Sequence, residues 1–257
     1  MTSPSVPPDE SRPRDADNWA RKVSSLKLGA VPSGAINLNV SGKQPVGPLQ
    51  GFGPMWQKTY RVSLAGAKVL PTGVIKVWKE RFPEFWPKGN RFYGPLTGIA
   101  PGEVGLINMA LPGGMPLSTG VMVLYADEES FTFMTPQGHV FAGWITFSAY
   151  EEDDGTVAQV QVLIRANDPI YELGFRMGAS KNEDRFWEHT LRSLATFFGV
   201  EAPKVVTQSL CVDRKIQWSQ AKNIWHNAGV RTTLYLIATP VRVPARWVRK
   251  RTRRAAR

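Results

Sequence analysis

Three histidines are the residues of this chain best suited by type to acid/base chemistry: His139, His189 and His226. His139 follows Gln137-Gly138 in an expected loop between strands, with Asp127, Glu128 and Glu129 close by in sequence. A general base there needs a carboxylate to orient the ring. The competing reading is a loop histidine bonded to backbone or water. His189 stands beside Glu188 inside an expected helix, at or near its surface. No two histidines lie at metal-ligand spacing, and Cys211 is the one cysteine, so no metal site is expected. Neither a lysine-ended phosphate loop nor a dinucleotide fingerprint occurs, and no serine sits in a nucleophile-elbow context. The acidic run Glu151 to Asp154 lacks the alternating ligands of a calcium loop and reads as a solvated turn. Asp168-Pro169 places an aspartate where it bonds its own backbone. Catalysis therefore has a single candidate, His139, and no cofactor is expected.

Apolar side chains offer a different chemistry. Trp78, Phe82, Phe131, Phe133, Phe147, Val160, Val162, Trp187, Leu191 and Leu194 fall on the inward faces of expected elements. Together they either line a cavity able to hold an apolar ligand or fill the same space as solid core.

Those faces belong to recognisable elements. Val157 to Ala166 alternates, with Ala158, Val160, Val162, Ile164 and Ala166 on one side and Gln159, Gln161 and Arg165 on the other. A period of two marks a strand with one wet face. Ile145, Phe147 and Ala149 alternate in the same way, and the charged turn ending in Gly155 suits a hairpin. Glu103–Leu111, Ser118–Ala126 and Ser130–Thr135 are three more expected strands, and Trp56–Leu64, with Lys58, Tyr60 and Val62 alternating, is the first. Pro71 and Thr72 open a short helix whose face carries Val74, Val77 and Trp78; Pro83 and Pro87 end it in an aromatic-rich turn. After the strands, Trp187, Leu191, Leu194, Ala195 and Phe198 recur at helical spacing. Ser180 and Glu183 have the spacing of a capping box at the start of that helix, and Gly199 stands where it should stop. Strands followed by a helix give an α+β class, an antiparallel sheet with a long helix on one face.

Charge divides the chain unevenly. The formal net charge is +11, yet residues 1–201 carry 19 Lys/Arg against 20 Asp/Glu, while residues 202–257 carry 13 against Asp213 alone. The basic end contains Arg246, Trp247, Arg249, Lys250, Arg251, Arg253 and Arg254. Cations interleaved with tryptophan suit an anionic membrane surface. The same cations would neutralise nucleic-acid phosphates, although no nucleic-acid-binding motif accompanies them, and a solvated tail is the plain alternative. The run Leu234 to Ala238 is far shorter than a membrane span. Residues 1–49 read as a disordered or extended segment, 50–200 as the domain and 201–257 as a basic, partly helical tail. Met1 to Asp17, rich in proline and charge, sets the first of these. The start lacks the pattern of a secretory signal, and one cysteine fits a reducing compartment, so a cytoplasmic setting is expected.

The order of strand, short helices, antiparallel strands and closing helix resembles the helix-grip superfamily of START lipid-transfer domains, polyketide cyclases and birch-pollen-allergen-like proteins. Gly138-His139, Gly143 to Phe147 and Arg165 to Gly174 resemble an uncharacterised bacterial branch of it. The resemblance spans about Gln50 to Val200. It implies an apolar small molecule or lipid held between sheet and long helix, with binding or transport as the activity. A cyclase- or hydrolase-like enzyme using His139 and a non-catalytic interaction protein acting through the basic tail are the alternatives. No acid/base set of the cyclases has a counterpart here.

Overall fold

The structure, a computed structural model, describes residues 16–111, 114–153 and 155–239. Nine strands among them form one antiparallel sheet. After β1 (Pro45–Val46) and β2 (Met55–Ser63) come helix α1 (Pro71–Arg81), β3 (Arg91–Tyr93), β4 (Val104–Ala110), β5 (Pro116–Ala126) and β6 (Ser130–Pro136). There follow β7 (Phe141–Glu152), β8 (Gly155–Ala166), α2 (Pro169–Gly174), a π-helical turn (Phe175–Ala179) and α3 (Ser180–Phe197). The last elements are β9 (Val205–Asp213) and α4 (Ala228–Ala238). The strand order is β3-β4-β5-β6-β7-β8-β2-β9, and β1 pairs with β6. The sheet bends around α3 and α1, which is the helix-grip arrangement and an α+β fold.

Register explains how the inner face is laid out. Because side chains alternate along a strand, antiparallel pairing lines inward residues up in rows across the sheet. One row runs Tyr60, Val160, Phe147, Phe131 and Ala126. The next runs Lys58, Val162, Ile145, Phe133 and Val123. Leu191, Leu194 and Ala195 of α3, and Val74, Ile75 and Trp78 of α1, are buried in the same core as the first row. Rings close this end: Phe131 stacks on Phe147 with centroids 4.6 Å apart, and Trp78 meets Phe147 edge-on at 5.2 Å. Such pairs add about 1 kcal/mol beyond their burial.

Two local expectations took another form. The Ser180–Glu183 capping box is absent, because α3 has no free start: α2 and the π-helical turn run into it, with one kink at Gly178 (φ 107°). The true helical start is Asp168, whose carboxylate accepts from the Ile170 and Tyr171 N–H groups. The aromatic turn after α1 also contains β3, paired to β4 through Phe92 and Ile107.

Chain outside 50–200 joins the same body. Residues 205–213, expected within a basic tail, form β9 along β2. Arg165 secures that edge, donating to Gly53 O at 2.6 Å and Lys215 O at 2.8 Å and pairing with Asp213. From the N-terminal segment, Leu26 and Val40 pack with Leu106 and Met122 on the outer face of the sheet. Buried Asn39 ties this layer to α4, donating to Ser118 O and Thr232 Oγ1. The basic cluster from Arg246 to Arg254 lies outside the described residues.

Candidate functional site

Where the rows of inward side chains continue past Phe147, the interior opens into a cavity of about 580 Å³, partly open to solvent. That is within the range of small-molecule sites. Its floor is the sheet: Phe133, Ile145, Val162 and Ile164. Its roof is the start of α3, with Phe186 and Trp187, and the π-helical turn, with Phe175 and Ala179. The aromatic stretch after α1 closes one side through Phe82, Trp86 and Phe92. Asn182, Arg185 and His189 are exposed and supply polar groups at its edge.

Of the residues expected to line a cavity, Phe82, Phe133, Val162 and Trp187 do so. Trp78, Phe131, Phe147, Val160, Leu191 and Leu194 do not; they are fully buried at the closed end. The reason is positional. Those six sit on the row and the helical turns where sheet, α1 and α3 meet in contact. Phe133 and Val162 sit one row along the sheet, while Phe82, after α1, and Trp187, on α3, meet Phe147 edge-on at 5.1 and 5.6 Å and stand at the border between packed core and cavity. Phe175, Phe186, Trp86 and Glu183 were missed. Glu183 lies four residues before Trp187, so a stripe extended by one helical turn would have reached it. Lys58 alternates with Tyr60 and Val62, which placed its side chain inward.

These two charged residues meet under the cavity roof. Lys58 Nζ lies 2.8 Å from Glu183 Oε2 and 2.8 Å from Asp184 Oδ1. The Tyr60 hydroxyl donates to Asp184 Oδ1 at 2.7 Å. Only 8 % of the Lys58 and Glu183 side chains is exposed. A pair so removed from water costs desolvation energy that geometry must offset. Here the offset is incomplete, since Glu183 Oε1 is buried with no hydrogen-bond partner. Burial raises the Glu183 carboxyl above the ordinary carboxylate range, against the opposing pull of Lys58. Burial tends to lower Lys58, but Glu183 and Asp184 together hold it above the ordinary lysine value. Trp86 Nε1, also in a cavity-lining side chain, is likewise buried without a hydrogen-bond partner.

His139 lines the cavity too, but its Nδ1 is taken up by its own loop, accepting from the Phe141 N–H at 3.0 Å. An accepting Nδ1 belongs to the neutral ring. Burial pulls its pKa down to about 4. Among the described residues no carboxylate or tyrosine hydroxyl bonds to the ring, the partner that an acid/base role called for. Also among the described residues, no group of His, Cys, Asp and Glu could hold a metal ion, and no helix is long and apolar enough to cross a membrane.

No protein-family model and no curated protein matches the chain. Solved structures with a similar fold include the di-domain ARO/CYC StfQ from the steffimycin biosynthetic pathway, at 13% identity and TM-score 0.45. That match covers 57% of this chain and 51% of StfQ, so the chain spans about half the length of that protein. A START superfamily protein from Mycobacterium smegmatis is 18% identical with TM-score 0.40, covering 57% of this chain and 98% of that one. Ara h 8.0201 is 13% identical with TM-score 0.41, covering 56% and 97%.

Proposed function

We propose that the protein binds a hydrophobic small molecule or lipid in the cavity between the long helix and the sheet. One observation carries this reading: the 580 Å³ space lies beside a core that is otherwise closed by ring-on-ring contacts, and aromatic and aliphatic side chains form most of its wall. Removing apolar ligand surface from water is worth about 25 cal/mol per Å² before the costs of association, which favours filling such a space.

Native mass spectrometry of freshly purified protein against its denatured mass tests the proposal. An extra mass, or saturable uptake of an apolar fluorescent probe that Val162→Trp abolishes by filling the floor, is the expected result. A protein with neither bound ligand nor probe uptake would overturn it.

Transport of the ligand in a cytoplasmic setting, with the Arg246–Arg254 cluster touching an anionic membrane, is the outer part of this proposal. Each cation there would contribute about 1 kcal/mol at the surface. Sedimentation with phosphatidylserine vesicles should fall when residues 240–257 are deleted, and unchanged sedimentation would remove the membrane from the reading.

A further inference from the structure

Two polar atoms in an apolar wall say more about the ligand than the cavity's size does. Glu183 Oε1 is an acceptor with no donor, and Trp86 Nε1 is a donor with no acceptor. Both side chains line the cavity. They lie around Phe186, which stands one helical turn after Glu183 and meets the Trp86 ring edge-on at 5.0 Å. Leaving either atom unpaired in the folded protein carries a desolvation penalty. The other carboxylate oxygen cannot relieve it, because Oε2 is fixed on Lys58. Glu183 lines the cavity, so its unpartnered Oε1 is the oxygen left to meet a ligand.

We infer that the cavity takes an apolar molecule bearing a neutral hydroxyl group, which donates to Glu183 and is of the type that can also accept from Trp86. The inference rests on the reading of the cavity as a ligand site and assigns that site its polar anchor. A hydroxyl is selected because it has both a proton to give and lone pairs to receive one. An ammonium has no acceptor for Trp86. A carboxylate brings a negative charge to Glu183 and has no proton to donate. A pure hydrocarbon leaves both atoms as they are.

The test uses the full chain and three probes of one shape and different polarity: pyrene, 1-hydroxypyrene and pyrene-1-carboxylate. Binding is followed by their own fluorescence at about pH 7, where the phenol is protonated. Wild-type protein should bind 1-hydroxypyrene on the order of tenfold more tightly than pyrene, the size of one hydrogen bond to a charged group, and the carboxylate least. In Glu183→Gln the amide oxygen takes over Lys58 and the amide N–H₂ faces the cavity. The hydroxyl preference should shrink to about twofold or less, with the carboxylate gaining. Trp86→Phe, which keeps the ring and removes the N–H, should reduce the preference on its own.

Pyrene bound as tightly as 1-hydroxypyrene in wild type overturns the hydroxyl assignment, leaves the cavity a ligand site, and needs no variant to fold. A preference that survives in both variants overturns the assignment to Glu183 and Trp86. Failure of all three probes to bind overturns the cavity as a ligand site, and this inference with it.

Discussion

The two halves of the space between α3 and the sheet are built from the same kinds of residue and behave differently. Under the C-terminal half of α3, Leu191, Leu194 and Ala195 meet the Phe147–Phe131 row with no gap, and Trp78 of α1 wedges in from the side. Under the N-terminal half, Phe186 and Trp187 line the cavity together with Ile145, Val162 and Ile164, and Trp187 meets Phe147 edge-on at its border. Hydrophobicity does not separate the halves. What separates them is the path of the helix. At the closed end α3 runs regularly to Gly199, a left-handed stop with φ 83°. At the open end it begins in a π-helical turn and a kink, with the buried Lys58–Glu183 ion pair at its first turn.

The sharpest way to break the comparison is truncation at each end. Trp78→Ala removes a fully buried ring from close-packed surroundings and should cost about 4 kcal/mol in urea unfolding. Phe175→Ala removes a partly exposed ring that stacks on Phe141 and otherwise faces the cavity. Its cost should stay below about 1.5 kcal/mol, since the void already forgoes those contacts. Probe binding should respond in the opposite sense, weakened by Phe175→Ala and little changed by Trp78→Ala. Equal unfolding costs would mean that the two ends are packed alike.

A second contrast is in pH. The closed end holds no histidine, whereas His139 sits in the cavity wall with its pKa pulled from 6.5 to about 4 by burial. Between those values the unfolded chain takes up a proton that the folded chain refuses. Stability is therefore full above the ordinary value and falls as the pH drops through that window. At about pH 5 the loss attributable to His139 is about 2 kcal/mol. His139→Gln should be less sensitive to acidification by that amount when unfolding free energies at about pH 7 and pH 5 are compared. Parallel curves for the two proteins would show that His139 is not held neutral by the fold.

The closed end was the more legible of the two in the sequence, and the reason is periodicity. Alternation in Val157 to Ala166 and the stripe of Trp187, Leu191, Leu194 and Phe198 fix which way side chains point, and Gly199 marks where α3 stops, whereas the start expected at Ser180 lies earlier, at Asp168. Direction does not fix distance. Val160 and Val162 point the same way on one strand, yet Val160 is packed solid and Val162 borders a cavity. That difference is set by the height of α3 above the sheet, a non-local quantity. Glu183 reads locally as half of a capping box because its partner, Lys58, lies 125 residues away in sequence. β9 was hidden by the basic composition around it, although Val205, Val206 and Thr207 open it with a run of β-branched residues. Its strand character depends on an available edge of β2, which no local pattern announces.

The smallest expected effect isolates the path of the helix itself. Gly178 and Gly199 both hold positive φ with open space where a Cβ would stand, so neither substitution meets a steric clash. Gly178→Ala and Gly199→Ala should each cost about 1 kcal/mol, the conformational penalty of an L side chain in left-handed backbone. Their effects on the cavity should nevertheless differ. Gly199 ends α3 beyond the packed core, and strain there is absorbed in the following loop. Gly178 joins the π-helical turn to α3, and relieving its strain moves Phe175 and Ala179, two parts of the roof. Probe affinity should accordingly fall in Gly178→Ala and hold in Gly199→Ala at matched stability. Equal affinities would mean that the kink is not what keeps the helix off the sheet. The ion pair of Lys58 with Glu183, which props the first turn of α3 from below, would then be the element that holds the cavity open.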